Sequence, residues 1–219
     1  MTSATRLTDP PRVRRREQRA WYFYDWANSA YVTTTLTVLF APYLISVAEQ
    51  AACPGLADGA TCRTNLDVLG IPMSPGSLPG YVTTATTLLS ALVLPVVGAF
   101  ADRSAHQRSL LAGFAWVGAA AATAMYFVAG PDWQLGVVLL FVANLCLGSS
   151  LVVYDAILCQ IATPDERDAV SSRGWALGYL GGFLLLTVNL VLVQLHDTFG
   201  LGKGEAVRVS LASAGLWWG

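Results

Sequence analysis

The stretch LGVVLLFVANLCLGSSLVVYDAILCQI (residues 135–161) decides the fold class, because Asp155 is its only charged side chain. An α-helix rises ~1.5 Å per residue, so about 20 such residues cross the ~30 Å hydrocarbon core of a bilayer. Similar apolar runs cover residues 22–47, 81–101, 109–129 and 175–195. Together these segments predict five complete transmembrane helices.

The composition agrees with a membrane location. Hydrophobic residues make up 54% of the chain and charged residues 12%, with a mean hydropathy of +0.52. A soluble α/β protein with long buried helices is the competing interpretation, but it seldom gives several uncharged stretches of this length. The net charge of −1 provides no bulk attraction to nucleic acid. We therefore predict an all-α polytopic membrane protein without a nucleic-acid partner.

The two ends of the chain define its organisation. Residues 1–20 are polar and arginine-rich, which is typical of a basic cytoplasmic tail or of a twin-arginine export signal. The following apolar run is long enough to span, so the tail interpretation is favoured, with a transmembrane bundle over residues 21–219. A sixth apolar run covers 207–219, and its 13 residues are too few to cross. We expect this sixth helix to be incomplete.

Orientation follows from the basic residues. Of the 13 lysines and arginines, all but Arg63, Lys203 and Arg208 fall in the tail or in the loops on its side of the membrane. The positive-inside rule therefore predicts a cytoplasmic N-terminus. Cys53 and Cys62 would then lie outside, either joined by a disulfide or as two free thiols.

The loop between the second and third spans resembles a known signature. Residues 98–108 read GAFADRSAHQR, similar to the major facilitator superfamily pattern Gly-xxx-Asp-Arg-x-Gly-x-Arg-Arg. The matching positions are Gly98, Asp102, Arg103 and Arg108, whereas Ala105 and Gln107 depart from the pattern. The resemblance implies a cytoplasmic gating motif in which Asp102 meets a helix N-terminus of the other half. Alternatively, the basic residues follow from the positive-inside rule alone.

A second resemblance is more specific. Residues 21–31 (WYFYDWANSAY) and 167–182 (RDAVSSRGWALGYLGG) are similar to the vacuole-effluxer-like branch of the major facilitator superfamily. That branch includes autophagy-related permeases that export amino acids from the fungal vacuole, and bacterial proteins of unassigned substrate. The resemblance runs from Arg19 to the end of the chain and covers half of a twelve-span architecture. It implies a major-facilitator-type six-helix N-terminal bundle with the sixth helix truncated.

The resemblance also implies a function. We expect the N-terminal half of a secondary active transporter that moves a small solute, with amino acids as a candidate class. Transport would be proton-coupled and would proceed by alternating access, around a site near mid-bilayer. The implied partners are the lipid bilayer, the solute and a missing C-terminal half from the same gene or a separate chain. The expected location is a bacterial plasma membrane.

Polar side chains inside the spans are the candidates for this pathway, because buried polar groups in a membrane are costly. Asp155 is the deepest ionisable residue, and it either carries a proton or pairs with Arg103 or Arg173. Asp25 lies about 6 Å from the polar end of the first span, where it could instead be an acid at the positive end of a helix dipole. The full set of candidates is Asp25, Asn28, Tyr31, Asn144, Tyr154 and Asp155.

Small residues in the spans predict where one helix packs closely against another. Gly174, Gly178 and Gly182 recur every four residues and form a stripe that allows close approach of another helix. The threonines in 33–35 and 83–87 could line a polar path. The favoured interpretation is that each hydroxyl bonds to the preceding turn of its own helix.

No motif indicates an enzyme. The sequence shows no serine nucleophile with a histidine base, no metal-ligand cluster and no phosphate-binding loop. His106 and His196 are predicted on opposite sides of the membrane, so they cannot share a centre. We therefore expect no catalytic residue, metal or cofactor. A membrane-embedded enzyme and an inactive membrane fragment are the alternatives to a transporter.

Overall fold

The structure, a computed structural model, describes residues 11–55 and 62–219. Its helices are α1 (Pro11–Tyr31), α2 (Phe40–Ala52), α3 (Leu78–Arg103), α4 (Gln107–Ala124), α5 (Trp133–Ile161), α6 (Arg167–Gln194) and α7 (Lys203–Trp218). A π-helical segment, Val32–Leu39, joins α1 to α2 in one continuous run. Within the described ranges, five helical runs are long and apolar enough to cross a membrane. The prediction of an all-α polytopic membrane protein is confirmed.

The predicted basic tail is partly helical. Helix α1 begins at Pro11, so the arginine-rich residues 11–20 extend the first span as regular helix. Residues 1–10, which complete the predicted tail, lie outside the described residues. Arg12, Arg15, Arg16 and Arg19 are exposed on this extension. We call the end of the bundle that carries them the basic end.

The loop between α2 and α3 contains a β-hairpin that the sequence analysis missed. Strands β1 (Leu66–Val68) and β2 (Ile71–Met73) pair antiparallel. Leu69 and Gly70 turn the chain with φ values of 56° and 83°, and two consecutive positive φ angles are characteristic of a tight hairpin turn. The Gly70 amide donates to Asp67 Oδ1 at 2.6 Å. Ahead of the hairpin, a disulfide joins Cys53 and Cys62, whose Cα atoms are 5.9 Å apart.

The spanning helices form a bundle in which α1 also contacts α5. The main packing contacts follow the order α3, α5, α4, α7, α1 and α6, and the most extensive are those of α1 with α6 and of α4 with α5. Buried apolar side chains fill the bundle in two main clusters. The cluster at the basic end is built on Trp21, Tyr154 and Ile161, whereas the cluster towards the other end contains Phe40 and Leu211. Near the basic end, α1, α5 and α6 converge.

The glycine stripe of α6 lies directly against α1. Gly174, Gly178 and Gly182 are buried, and so is Gly181, which the sequence analysis did not include. A Cβ atom added at Gly174 would lie 2.5 Å from Trp21 Cζ3, and one added at Gly178 would lie 2.7 Å from Asp25 Oδ2. Real Cβ atoms do not approach their neighbours so closely. Any larger residue would therefore force α1 and α6 apart.

A matched pair of glycine substitutions tests this packing. Gly182→Ala should destabilise the bundle by roughly 1–3 kcal/mol, as overpacking does, because the new methyl group would lie 3.1 Å from the Ser29 carbonyl oxygen. Gly113→Ala in α4 is the control, since a Cβ atom there meets nothing within 4 Å. Alanine also favours a helix over glycine. Thermal denaturation in detergent should show a lower midpoint for Gly182→Ala only; equal midpoints would contradict the packing role.

Candidate functional site

A polar cleft opens where α1, α5 and α6 converge, with a volume of about 350 Å³. Helix α1 contributes an acid, an amide and a hydroxyl to its wall, α5 contributes a second acid, and α6 contributes aromatic rings. The lining residues are Asp25, Asn28, Ser29, Val32, Thr33, Leu151, Tyr154, Asp155, Trp175, Gly178 and Tyr179. The cleft therefore contains four of the six predicted pathway candidates: Asp25, Asn28, Tyr154 and Asp155.

Asp155 is exposed, lines this cleft and forms no ion pair with any residue in 11–55 or 62–219. It lies six residues before Ile161, the last residue of α5, or about 9 Å along the helix axis. The alternative that it pairs with Arg103 or Arg173 is wrong, since the ion pairs among the described residues do not include it. Its carboxyl group is therefore available to a solute, a proton or a facing protein surface.

Asp25 lines the same cleft from α1 and is half-buried. Because α1 starts at Pro11, Asp25 lies 14 residues into the helix, which is about 21 Å from its N-terminus. A helix dipole acts on charges in the first turn, so the dipole alternative for Asp25 is wrong. The carboxylate lies against Gly178 of α6, where the missing side chain leaves room for it. Helix packing thus places this acid in the cleft.

Aromatic contacts hold α1 against α5 behind the two acids. The rings of Trp21 and Tyr154 stack with centroids 4.0 Å apart and an interplanar angle of 8°. Trp21 Nε1 donates to the backbone carbonyl of Tyr154 at 3.0 Å, and the Tyr24 hydroxyl donates to Ser150 Oγ at 2.6 Å. These bonds fix the separation of the helices that carry Asp25 and Asp155. The Tyr154 hydroxyl itself is buried without a partner among the described residues.

The remaining amide and tyrosine candidates mainly connect helices. Asn28 is 2% exposed and its Nδ2 donates to the Tyr24 carbonyl at 2.8 Å, so only part of its amide faces the cleft. Tyr31 is fully buried, stacks on Trp218, and donates to Asn144 Oδ1 at 3.1 Å. The structure therefore does not bring Tyr31 and Asn144 into the cleft. They form a hydrogen bond inside the bundle instead.

The threonines of the first two spans differ in their hydrogen bonding. Thr84 and Thr86 in α3 donate to the carbonyl four residues earlier, as does Thr87, so the prediction is correct for these three residues. In the π-helical segment, Thr34 and Thr35 have fully buried hydroxyls without a partner among the described residues. The prediction is wrong there. Thr33, at the start of the segment, lines the cleft.

The signature loop contacts α1 at the basic end. Asp102 and Arg103 are exposed, whereas Arg108 forms an ion pair with Glu17 of α1. Gln107, which departs from the family pattern, is buried; it accepts a hydrogen bond from Gln160 and donates to the Ala101 carbonyl. Glu17 was not among the predicted residues, although it is the only acid among the arginines of residues 11–20 and could have been selected as their partner on that ground.

The arrangement of the helices and of the two acids indicates which class of membrane protein this chain resembles. Several spanning helices surround a cleft with two carboxylates, as in polytopic membrane proteins that bind small polar molecules within the bundle. Within the described part of the chain, no group of three or more histidine, cysteine or acidic side chains is placed to hold a metal ion.

Comparison with known proteins identifies the family. Residues 13–219 match the family model described as "Vacuole effluxer Atg22 like", and the chain belongs to this family. It is 26% identical to the uncharacterized MFS-type transporter YxiO of Bacillus subtilis, over 93% of this chain and 44% of that protein. It is 25% identical to autophagy-related protein 22 of Pyricularia oryzae, over 65% of this chain and 23% of that protein.

The chain thus spans less than half the length of these relatives. No solved structure matches it. The family assignment confirms the resemblance found in the sequence, and the descriptions of its members as effluxers and transporters agree with the expectation that this chain is not an enzyme.

The buried hydroxyls of the π-helical segment can be tested against those of α3. Thr35→Val replaces an unpartnered hydroxyl with a methyl group of similar shape, so stability should be unchanged or higher. Thr86→Val is the control, because its buried hydroxyl donates to the Val82 carbonyl at 2.7 Å. Its loss should cost about 0.5–1.5 kcal/mol. A drop in thermal midpoint for Thr35→Val as large as for Thr86→Val would show that the Thr35 hydroxyl has a partner after all.

Proposed function

We propose that this chain is the N-terminal half of a proton-coupled secondary transporter that moves small amino compounds, with amino acids as the leading class. The observation that carries the proposal is the pair of carboxylates, Asp25 on α1 and Asp155 on α5, that line one open cleft. Acids in membrane spans are costly and are retained at solute and proton pathways. The family of effluxers to which the chain belongs supports the same function.

The charge of the cleft favours a cationic group. Of the described residues that line it, two are acids and none is a lysine or arginine. An ammonium group of the solute can pair with one carboxylate while the other binds a proton. The carboxylate of an amino acid would then need a cationic partner from outside this cleft, because no lysine or arginine is among its described lining residues. A second half of the transporter that faces the opening would supply it.

Alternating access requires two rigid halves that rock against each other around a solute site. In this half, the walls of the cleft come from the following helices. Helices α1 and α6 form one closely packed wall, and α5 forms the other with α3 and α4. Exposed aromatic side chains, Trp175 and Tyr179, border the cleft on α6 and provide an apolar surface for a facing half. The separation of Asp25 and Asp155 across the mouth would change little during rocking, because Trp21 and Tyr154 hold their helices together.

The orientation that we propose places the basic end in the cytoplasm of a bacterial cell. The exposed arginines of α1 support this placement through the positive-inside rule. The disulfide between Cys53 and Cys62 supports it from the opposite end, since disulfides persist in oxidising compartments.

Flux measurements test the role of the two acids. Asp25→Asn and Asp155→Asn should each reduce amino-acid flux driven by a proton gradient in liposomes of the full-length protein. A hydrogen bond to a charged group contributes about 1.5–3 kcal/mol, so we expect a loss of roughly 10- to 100-fold. Asp132→Asn is the control, because Asp132 is an exposed acid outside the cleft. Flux that matches the control in both cleft variants would remove these acids from the mechanism.

Cysteine labelling tests the orientation. In intact cells, an impermeant maleimide should react with Cys53 and Cys62 only after treatment with an impermeant reductant. The internal control is Cys159, an exposed free cysteine near the basic end of α5, which should react only after the cells are opened. Labelling of Cys159 in intact cells would show that the orientation is the opposite of the one proposed.

A further inference from the structure

A second pocket lies at the basic end, on the side of α1 that meets the start of α6, and has a volume of about 280 Å³. Helix α1 supplies Arg14, Arg15 and Gln18 to its wall, and Arg173 comes from α6. Glu166, in the turn before α6, completes the polar lining. This pocket is separate from the cleft, with which it shares no lining residue.

The pocket has an excess of positive charge. Arg14 Nη2 donates to Glu166 Oε1 at 3.0 Å, so these two charges compensate each other. The other oxygen, Glu166 Oε2, accepts a hydrogen bond from the Thr163 amide at 3.1 Å. Among the described residues, Arg15 and Arg173 form no ion pair, which leaves two guanidinium groups available. Guanidinium groups bind phosphate oxygens through paired hydrogen bonds.

An apolar track continues from the pocket along α6. Leu180 and Leu184 follow Arg173 by 7 and 11 residues, spacings that return to the same face of a helix. Their side chains are 48% and 43% exposed. The track therefore leads from the basic end to about the middle of α6, which ends at Gln194. A free phosphate ion would make no contact with these apolar side chains, whereas the acyl chain of a lipid would pack against them.

We propose that this pocket binds the phosphate group of an anionic phospholipid, with Arg15 and Arg173 as its main ligands and an acyl chain along the track of Leu180 and Leu184. The site combines the two features that such a lipid requires. Basic pockets between spanning helices recognise anionic headgroups, and the exposed leucines lie where the attached chain must pass. Arg14 lies in the same lining, where the Glu166 carboxylate competes with the phosphate for its guanidinium group.

Native mass spectrometry of the purified chain in detergent tests the proposal, with added phosphatidylglycerol, phosphatidylcholine or inorganic phosphate. Each arginine near an anionic headgroup contributes roughly fivefold in binding. The double variant Arg15→Gln/Arg173→Gln should therefore bind phosphatidylglycerol about 25-fold more weakly. The matched control Arg12→Gln/Arg19→Gln removes the same charge from exposed positions outside the pocket and should change binding less than about threefold.

Three outcomes would overturn the proposal. Equal weakening in the double variant and the control would show attraction by overall charge without a specific site. Phosphatidylcholine that binds as tightly as phosphatidylglycerol would show that the headgroup charge is not recognised. Inorganic phosphate that displaces the lipid at equal concentration would show that a free anion is the ligand and that the track contributes nothing.

A third variant distinguishes loss of the site from loss of the fold. Glu166→Gln keeps an oxygen that can accept from the Thr163 amide, but it removes the carboxylate that competes for Arg14. We expect tighter binding of phosphatidylglycerol, by several-fold, and misfolding cannot produce such a gain. Unchanged or weaker binding in a variant with a wild-type thermal midpoint would contradict the proposed role of Arg14 and Glu166.

Discussion

The close approach of α6 to α1 is the constraint on which the rest of the structure depends. Lipid tails are as apolar as leucine, so spanning helices associate through close packing and polar contacts and not through hydrophobic burial. The face of α1 that meets α6 carries polar and aromatic residues at helical spacing, namely Arg14, Gln18, Trp21, Asp25 and Ser29. Only glycine on α6 leaves room for such a face. We call this contact between α1 and α6 the seam. The cleft and the arginine-lined pocket at the basic end both lie along it.

The two polar sites carry opposite charge because different charged residues line the seam at its two levels. At the basic end, Arg14 and Arg15 meet the start of α6, and the arginines outnumber the single carboxylate of Glu166. About three turns further along α1, Asp25 lies against Gly178, where α6 offers no charged partner. The contact between Trp21 and Gly174 lies between them along α1. This helix pair therefore presents cations at its end and the acid Asp25 in its interior.

Much of this arrangement could be predicted from the sequence. The spans followed from apolar length, and the candidates Asp25 and Asp155 followed from the cost of acids in such spans. The start of α1 could not be predicted, because residues 11–20 are polar and nothing in their composition separates a helical extension from a tail. The same error produced the wrong dipole alternative for Asp25. The partners of Arg14 and Arg108 join residues far apart in the chain, and no local pattern indicates them.

The π-helical segment explains why local rules failed for Thr34 and Thr35. In an α-helix a threonine hydroxyl reaches the carbonyl four residues earlier, as Thr86 does. The wider turn of a π-helix moves that carbonyl away, and Thr37 instead donates to Val32, five residues earlier, at 3.0 Å. Such segments are uncommon and occur frequently at functional sites. Here the segment begins at Val32, which lines the cleft together with Thr33. The irregular backbone of the π-helical segment therefore borders the proposed solute site.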